Sequence, residues 1–572
     1  MEICINNKTV HNSGAATKPA KTSNSHTIGI IAPLIDKHQF HRDFNLRLSR
    51  NNRELTLAAF YELANESFKT EHVSRGFDYG DDIPAAGFYL EGLLHQYGYD
   101  TILTNKYDTD TIKTIAEQDP FAICVSTTMI ITTDSLLGLF SSIRSAMPDT
   151  HIIAGGVFVW KNYLQFMKHL DSPHLYPHQP RMLFHPGHTR MDADILVVAP
   201  HGKSSLLEVL KELEKGSSTS FEHIPNLCLP GDNGFNFTKR EEEQVDYDED
   251  YTRWDLIDEI PEKIPLRTSI GCPYRCRFCD FCQLYPRIFL RSRTSLSQEL
   301  NLVKNRLGQN LAVIHVSDDN VFITKKRLYE VCDAITESGL RHWIGFMRGG
   351  EYSDDEMEAI ERSGLMMGKI GVESGDPGQL ERMNKRQKIE NVKRGVEQLD
   401  AHGISVLMTF VVGFPGETKQ TLRNTADFLN NLSLTNLSAG YQLYPLVIFP
   451  LSELADPSAR TEWKIEGSME KWSHYTMKSE ETFEASYDLF KEVTNVPYSY
   501  SEESYFFNRG MFTFGTRKSL FQLRQQLTIK LIEKAPWEHI EPILKSMAQH
   551  MELSIDRIGE SLRHEISVPY IR

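Results

Sequence analysis

No apolar run in this sequence is long enough to cross a bilayer. The longest, Ile404 to Phe414, ends in a Gly-Pro turn and stops well short of the roughly 20 residues a spanning helix needs. It reads as a buried strand, and no membrane span is expected. Basic residues are in the minority: 62 Lys and Arg against 77 Asp and Glu leave a net charge of -15. That balance argues against a general nucleic-acid binder, and no nucleic-acid partner is expected. The N-terminus lacks a charged-then-apolar pattern, so no export signal is expected. Cysteine is scarce, 8 residues in 572, and several of those are crowded together. Such crowding fits a metal in a reducing compartment better than a disulfide framework, and a cytoplasmic location is expected. Repeats are absent beyond strand-helix units. With 40% hydrophobic and 24% charged residues, the chain can build roughly two to four domains with ample core.

The crowded thiols lie in Gly271-Cys272-Pro273-Tyr274-Arg275-Cys276-Arg277-Phe278-Cys279-Asp280-Phe281-Cys282, directly after an extended run from Ile264 to Ile270. Cys272, Cys276 and Cys279 have the spacing C-x3-C-x2-C. Thiolates are soft ligands, and three this close can hold three irons of a 4Fe-4S cluster, leaving the last iron for a substrate. A zinc loop or a disulfide pair is the plainer alternative. A zinc ribbon needs a second ligand pair downstream, and beyond Cys282 only Cys332 remains.

Following an extended run, C-x3-C-x-(aromatic)-C resembles the radical S-adenosylmethionine (SAM) superfamily, with Phe278 at its aromatic position. The resemblance implies that the free iron chelates SAM, which an electron then cleaves to a 5′-deoxyadenosyl radical. It also implies a flavodoxin- or ferredoxin-like electron donor. Cys282 reads as a bystander, since a fourth thiolate would displace SAM.

Residues 1 to 26 are polar and aperiodic, a tail expected to be disordered. Short apolar strands are expected at Thr27 to Ala32, Tyr99 to Leu103, Ala122 to Ser126, His151 to Ala154 and Asp194 to Val198. Helical spacing marks Ala85 to Gln96, Ser135 to Ala146 and Ser204 to Lys215. This alternation indicates a doubly wound, Rossmann-like parallel sheet over residues 27 to 215. Residues 216 to 263 are Gly-Ser rich and then acidic, through Glu241-Glu242-Glu243 and Asp246 to Asp250. They read as a solvated linker that Trp254 and Leu256 pin to a surface.

Parallel sheets bind ligands at the carboxyl ends of their strands. Those ends carry Ser126, Thr127 and Thr128, then Gly155, Gly156 and Val157, small residues that let a large planar ligand approach the backbone. Ordinary strand-to-helix turns would look the same. Placed upstream of the radical SAM cysteines, however, the order of these segments resembles a cobalamin-binding domain. Many such domains place a His below cobalt from an Asp-x-His-x-x-Gly motif. Asp36-x-His38-x-x-His41 lacks the glycine, so the match is taken as chance and no His ligand to cobalt is expected. The acidic turn usual after the fifth strand is replaced by Pro200-His201-Gly202-Lys203.

From Ile264 the alternation resumes through strands at Leu311 to Val316, Trp343 to Met347, Met367 to Val372, Val406 to Val412 and Tyr441 to Phe449. With the cysteine-bearing strand they make a partial (β/α)6 barrel of TIM type, a radical SAM domain at 264 to 465. The resemblance assigns SAM contacts to Phe278, Ser317, Asp318, Asp319, Arg348, Glu373, Ser374 and Gly413. Glu373 and Ser374 would face the ribose. Asp318 could equally cap the next helix. A mainly helical C-terminal domain, 466 to 572, would cover the barrel mouth and select the substrate. Trp472, His474 and Tyr475 near its start read more readily as core.

The resemblance therefore implies a cobalamin-dependent radical SAM methyltransferase using a 4Fe-4S cluster, SAM and cobalamin. It would move a methyl group from SAM through methylcobalamin to an unactivated carbon, or a phosphinate phosphorus, of a small molecule or peptide, as in natural-product or cofactor biosynthesis. No catalytic side chain is singled out. A rearranging, cyclising or oxidising enzyme of the same architecture is the alternative, and a non-catalytic iron-sulfur or cobalamin carrier a remoter one.

Overall fold

The protein is described from a computed structural model. It describes residues 26–33, 46, 48–50, 53–54, 84–171, 182–184, 191–216, 220–231, 234–311, 313–499, 513–552 and 566–567. The expected tail and the Asp36 to His41 segment lie outside the described residues, apart from His26.

The first unit runs β1 (Thr27–Ile31), α1 (Ala85–Gln96), β2 (Asp100–Thr104), α2 (Thr109–Ala116), β3 (Ala122–Ser126), α3 (Thr133–Ala146), β4 (His151–Gly155), α4 (Val157–Asp171), β5 (Ile195–Val197) and α5 (Lys203–Leu213). Two further strands, β6 (Leu227–Gly231) and β7 (Gly234–Phe237), complete a seven-stranded sheet in the order β2-β1-β3-β4-β5-β6-β7. The first five strands are parallel and the last two antiparallel. Residues alternate between its two faces, as the pleat requires. On β3, Ile123 and Val125 join one buried cluster, whereas Ala122 and Cys124 join the other. β6 and β7 lie where a linker is expected from residue 216. The Gly-Ser composition there hides a hairpin whose strands are too short for a periodic signal.

The acidic run of the remaining strap stays largely open to solvent, with Glu241, Glu242, Gln244, Asp246 and Glu249 exposed, but it is tied down at particular side chains. The Glu243 carboxylate accepts from the N–H groups of Gly202 and Ser204 at the start of α5, at 2.6 and 3.0 Å, where the helix end favours an anion. Asp250 accepts from the Tyr89 hydroxyl of α1 at 2.9 Å and pairs with Lys203. Trp254 is fully buried.

The second unit is six parallel strands in sequential order: β8 (Lys263–Leu266), β9 (Val313–Val316), β10 (Trp343–Met347), β11 (Leu365–Glu373), β12 (Ser405–Val412) and β13 (Ala439–Pro445). Helices α6 (Arg293–Leu307), α7 (Lys325–Ser338), α8 (Asp354–Ser363), α9 (Ile389–Ala401) and α10 (Lys419–Asn430) connect them. Thr324 caps α7, and Ser353 with Glu356 forms a capping box on α8, so each helix start is written in its own sequence. Val313, Ile344, Met367 and Leu407, one from each of four neighbouring strands, form a buried layer inside the partial barrel. After β13, α11 (Thr482–Glu492) packs on α10, and α12 (Phe514–Ile532) pairs with α13 (Trp537–His550). No helix among the described residues is long and apolar enough to cross a membrane.

Candidate active site

The carboxyl ends of the two sheets share one cavity of about 570 Å³. Ser126, Thr128, Gly155, Gly156 and Val157 line it from the first sheet, and Arg267, Ser317 and Asp319 from the barrel. Thr127 does not line it. Its hydroxyl donates to the Gly155 carbonyl at 2.9 Å, which binds the end of β3 to the end of β4. Gly156 has φ +113°, and a Cβ there would meet the Thr128 hydroxyl at 3.0 Å and amide at 3.1 Å. Only glycine lets the two turns come this close. The cradle fits a bulky planar group that needs the backbone bare.

Residues not singled out by sequence complete the cavity. His201, on the turn after β5, meets the Tyr247 hydroxyl from the strap, and Tyr247 stacks on Phe289 at 4.3 Å. Burial, with the Arg267 guanidinium nearby, pushes His201 down to about 4, so its imidazole is neutral. Burial also pushes the Tyr247 hydroxyl up to about 12. The replacement of an acidic turn by Pro200-His201-Gly202-Lys203 was the signal available for His201. Tyr247 sits within an acidic run and had none.

The cysteine loop lies between a two-residue strand, Ser269–Ile270, and a short helix, Phe281–Leu284. Cys272, Cys276, Cys279 and Cys282 are free and half-buried. Burial pushes the thiols of Cys272, Cys279 and Cys282 up. Among the described residues, the sulfurs of Cys272, Cys276 and Cys279 do not all fall within 4.8 Å of one another. A single tetrahedral zinc would draw its sulfurs to about 3.8 Å apart. Three free thiols on one loop are the donor set an iron-sulfur cluster takes.

Around the loop, Arg348 lies 3.7 Å from the Tyr274 ring centroid, and its charge bears on Cys272. Its buried Nη2 has no hydrogen-bond partner, which suits a carboxylate arriving from a ligand. Asp319 faces the cavity, where burial pushes its carboxyl up. Its neighbour Asp318 is turned inward and accepts from the Thr268 amide at 2.7 Å and the Ser269 hydroxyl at 2.6 Å. It therefore ties the segment entering the cysteine loop rather than facing the cavity or capping a helix. Ser317 spans to the Leu266 carbonyl.

Glu373 ends β11 at φ +71°, beside a bulge in the β11–β12 pairing. Such a backbone is uncommon for a residue with a side chain. Its carboxylate is paired with Lys385 at 2.7 Å, both side chains about one-tenth exposed. Lys385 had no sequence signal, because only the fold returns it to β11. Ser374 is buried and accepts from the Asp376 amide at 3.1 Å.

Gly413 opens the turn after β12 at φ +96°, where a Cβ would meet the Trp472 ring at 2.9 Å. The His474 Nδ1 accepts from the Thr476 and Met477 amides, so Nε2–H donates to the Gly413 carbonyl at 2.9 Å. The His474 ring stacks on Trp472, centroids 4.9 Å apart. From below, Glu417 accepts from the Gly413 amide. Phe278 of the cysteine loop packs edge-on against Phe414 of the same turn. Arg348, Glu373, Ser374 and Gly413 do not line the shared cavity; they sit at the other strand ends of the barrel.

The two units meet at the cysteine loop. Lys161 on α4 pairs with buried Asp280, next to Cys279, and the Trp160 indole donates to the Leu284 carbonyl at 3.2 Å.

Residues 266–429 match the sequence profile of the Radical SAM superfamily. Over 168 residues the chain is 27% identical to bacteriochlorophyllide d C-12(1)-methyltransferase of Chlorobaculum tepidum, covering 29% of this chain and 37% of that protein. Over 363 residues it is 22% identical to the anaerobic magnesium-protoporphyrin IX monomethyl ester cyclase of Rubrivivax gelatinosus, 60% of this chain and 61% of the other. Both matches fall short of two thirds of the relative's length. In fold it is similar to the cobalamin-dependent SAM radical enzyme OxsB, with TM-score 0.55 at 14% identity over 94% of this chain and 78% of that one. It is also similar to the radical SAM methyltransferase TsrM of Kitasatospora setae, with TM-score 0.50 at 16% identity over 76% and 77%.

Proposed function

From a chain that carries a radical SAM domain at residues 266–429, in the fold of cobalamin-dependent radical SAM enzymes, we propose a cobalamin-dependent methyltransferase acting on an unactivated centre of a small molecule or peptide. One observation carries this reading: the carboxyl ends of both sheets open on a single cavity, beside which the first unit grips the cysteine loop through Lys161 and Trp160. When bound, the cluster and SAM supply a hydrogen-abstracting radical, and cobalamin supplies a transferable methyl group.

The chain's own part is placement. Cys272, Cys276 and Cys279 hold the cluster. Arg348, with its unpartnered Nη2, takes the carboxylate of SAM. Glu373, oriented by Lys385, accepts from the ribose hydroxyls. The His474–Gly413–Glu417 stack fixes the turn that would serve the adenine end of SAM. Gly155 and Gly156 admit the corrin. His201, neutral and tied to Tyr247, adds no charge to the cavity.

The test is product analysis with methyl-labelled SAM. Equal amounts of S-adenosylhomocysteine and 5′-deoxyadenosine, with label in the product, are expected. Unlabelled product with 5′-deoxyadenosine alone would remove methyl transfer. It would favour oxidation or cyclisation, a second reading supported by the match to the cyclase over 60% of this chain.

A further inference from the structure

Away from the cavity, a second group of ligating side chains stands where the strap crosses α1. Glu91 and His95 are one turn apart on that helix, and Asp258 comes from the strap. One ligand atom of each lies within 4.8 Å of the other two, with Glu91 and His95 buried and Asp258 exposed. We propose that these three side chains bind one divalent transition ion of the zinc class, which fastens the strap to the first unit.

The donor set is one imidazole nitrogen and two carboxylates, the borderline mixture such an ion takes. His95 is already oriented for the task. Its Nδ1 lies 2.6 Å from the Leu256 carbonyl oxygen, a contact that calls for a proton on Nδ1 and leaves Nε2 as the nitrogen that can take an ion. That Nε2 faces Asp258 Oδ2 at 3.9 Å. A ligand imidazole is commonly held in this way, by a carbonyl on its other nitrogen. The Thr101 hydroxyl lies 2.9 Å from Nε2, and an ion on Nε2 would replace that contact.

The location gives the ion a purpose. The strap lies tightly on α1: a Cβ on Gly92 would meet the Arg253 backbone at 3.2 Å, and Phe88 packs on Trp254 at 5.4 Å. On its other side, Arg306 of α6 donates to the carbonyls of Trp254, Asp255 and Ile257 at 3.3, 3.2 and 2.9 Å. Phe88 and Tyr89 of α1, with Tyr251 and Thr252 of the strap, are walls of the shared cavity. An ion here holds two of those walls together.

The test uses the full chain with its cluster assembled, so that the loop thiols are occupied. One equivalent of zinc is added, and the desalted protein is analysed by mass spectrometry and zinc-edge X-ray absorption. The expected result is one zinc per chain with only nitrogen and oxygen neighbours, and at least about tenfold weaker binding in Asp258→Asn and His95→Ala. Zinc should raise the Tm of the wild type and leave that of Asp258→Asn unchanged; Asp258 is exposed, so this variant keeps the fold. A wild type that retains no zinc, equal zinc in Asp258→Asn, or sulfur around the zinc would each overturn the proposal.

Discussion

Cys279 and Cys282 are three residues apart, half-buried and unpaired alike, yet their expected roles differ. Cys279 lies in the loop with Cys272 and Cys276, whereas Cys282 begins a new helical turn. Replacing Cys272, Cys276 or Cys279 with Ala should remove most bound iron and all SAM cleavage. Cys282→Ala should keep both, as iron assay and chromatography of SAM products will read. A Cys282 variant that loses iron while Cys279→Ala keeps it would reverse the assignment. Glu417 offers a pH signature. Burial pushes its carboxyl up to about 7 from 4.5. Between those values the folded chain holds a proton that the unfolded chain has lost, so this group's contribution to stability falls as pH rises through that window. Glu417→Gln, which cannot titrate, should therefore gain on the wild type between pH 5 and pH 8, by at most about 3 kcal/mol. Thermal unfolding at several pH values checks it. A Tm difference that does not change with pH would mean the carboxyl titrates normally.

The turn from β4 into α4 shows what an element boundary can decide. Gly156 combines φ +113° with contacts at 3.0 to 3.2 Å to Thr127 and Thr128, so any side chain both strains the backbone and pushes the neighbouring turn. Gly156→Val should abolish cobalamin retention, followed by absorbance after gel filtration. Iron content should stay unchanged, because the cysteine loop belongs to another element. Retained cobalamin in that variant would place the corrin elsewhere. The strap is the reverse case, an irregular segment whose acidic half is exposed but whose far end is held against the second unit. Trp254, fully buried, donates through its indole to Glu299 at 2.8 Å, while Arg306 takes up the surrounding carbonyls.

For the whole molecule, the decisive feature is the contact that sets the two sheets facing each other. Lys161 belongs to the helix that starts at the Gly156 turn, and Asp280 follows Cys279. This ion pair, together with the Trp160 indole on the Leu284 carbonyl, links the expected corrin cradle to the cysteine loop. Lys161→Met strands a buried carboxylate, which should cost about 3 kcal/mol and lower the Tm. It should also broaden the paramagnetic resonance of the reduced cluster as the loop loosens. An unchanged Tm and spectrum would mean the interface is held by packing alone.

The local instructions were legible in the sequence by itself. Apolar runs and helical spacing placed β10 and α1 at their observed ends, because burial selects apolar residues at the positions that meet the core. The C-x3-C-x2-C spacing singled out the candidate ligands, since a short loop keeps neighbours in sequence close in space. What only the tertiary structure decided are pairings across long separations. Lys385 reaches Glu373, His474 reaches Gly413 across 61 residues, and Tyr247 reaches His201 across 46. Asp318 was legible as a polar strand end, but its inward turn to Thr268 and Ser269 depends on β8 lying beside β9. Periodicity reports how a residue meets the nearest core and carries nothing about which distant loop the chain's closure will bring to it.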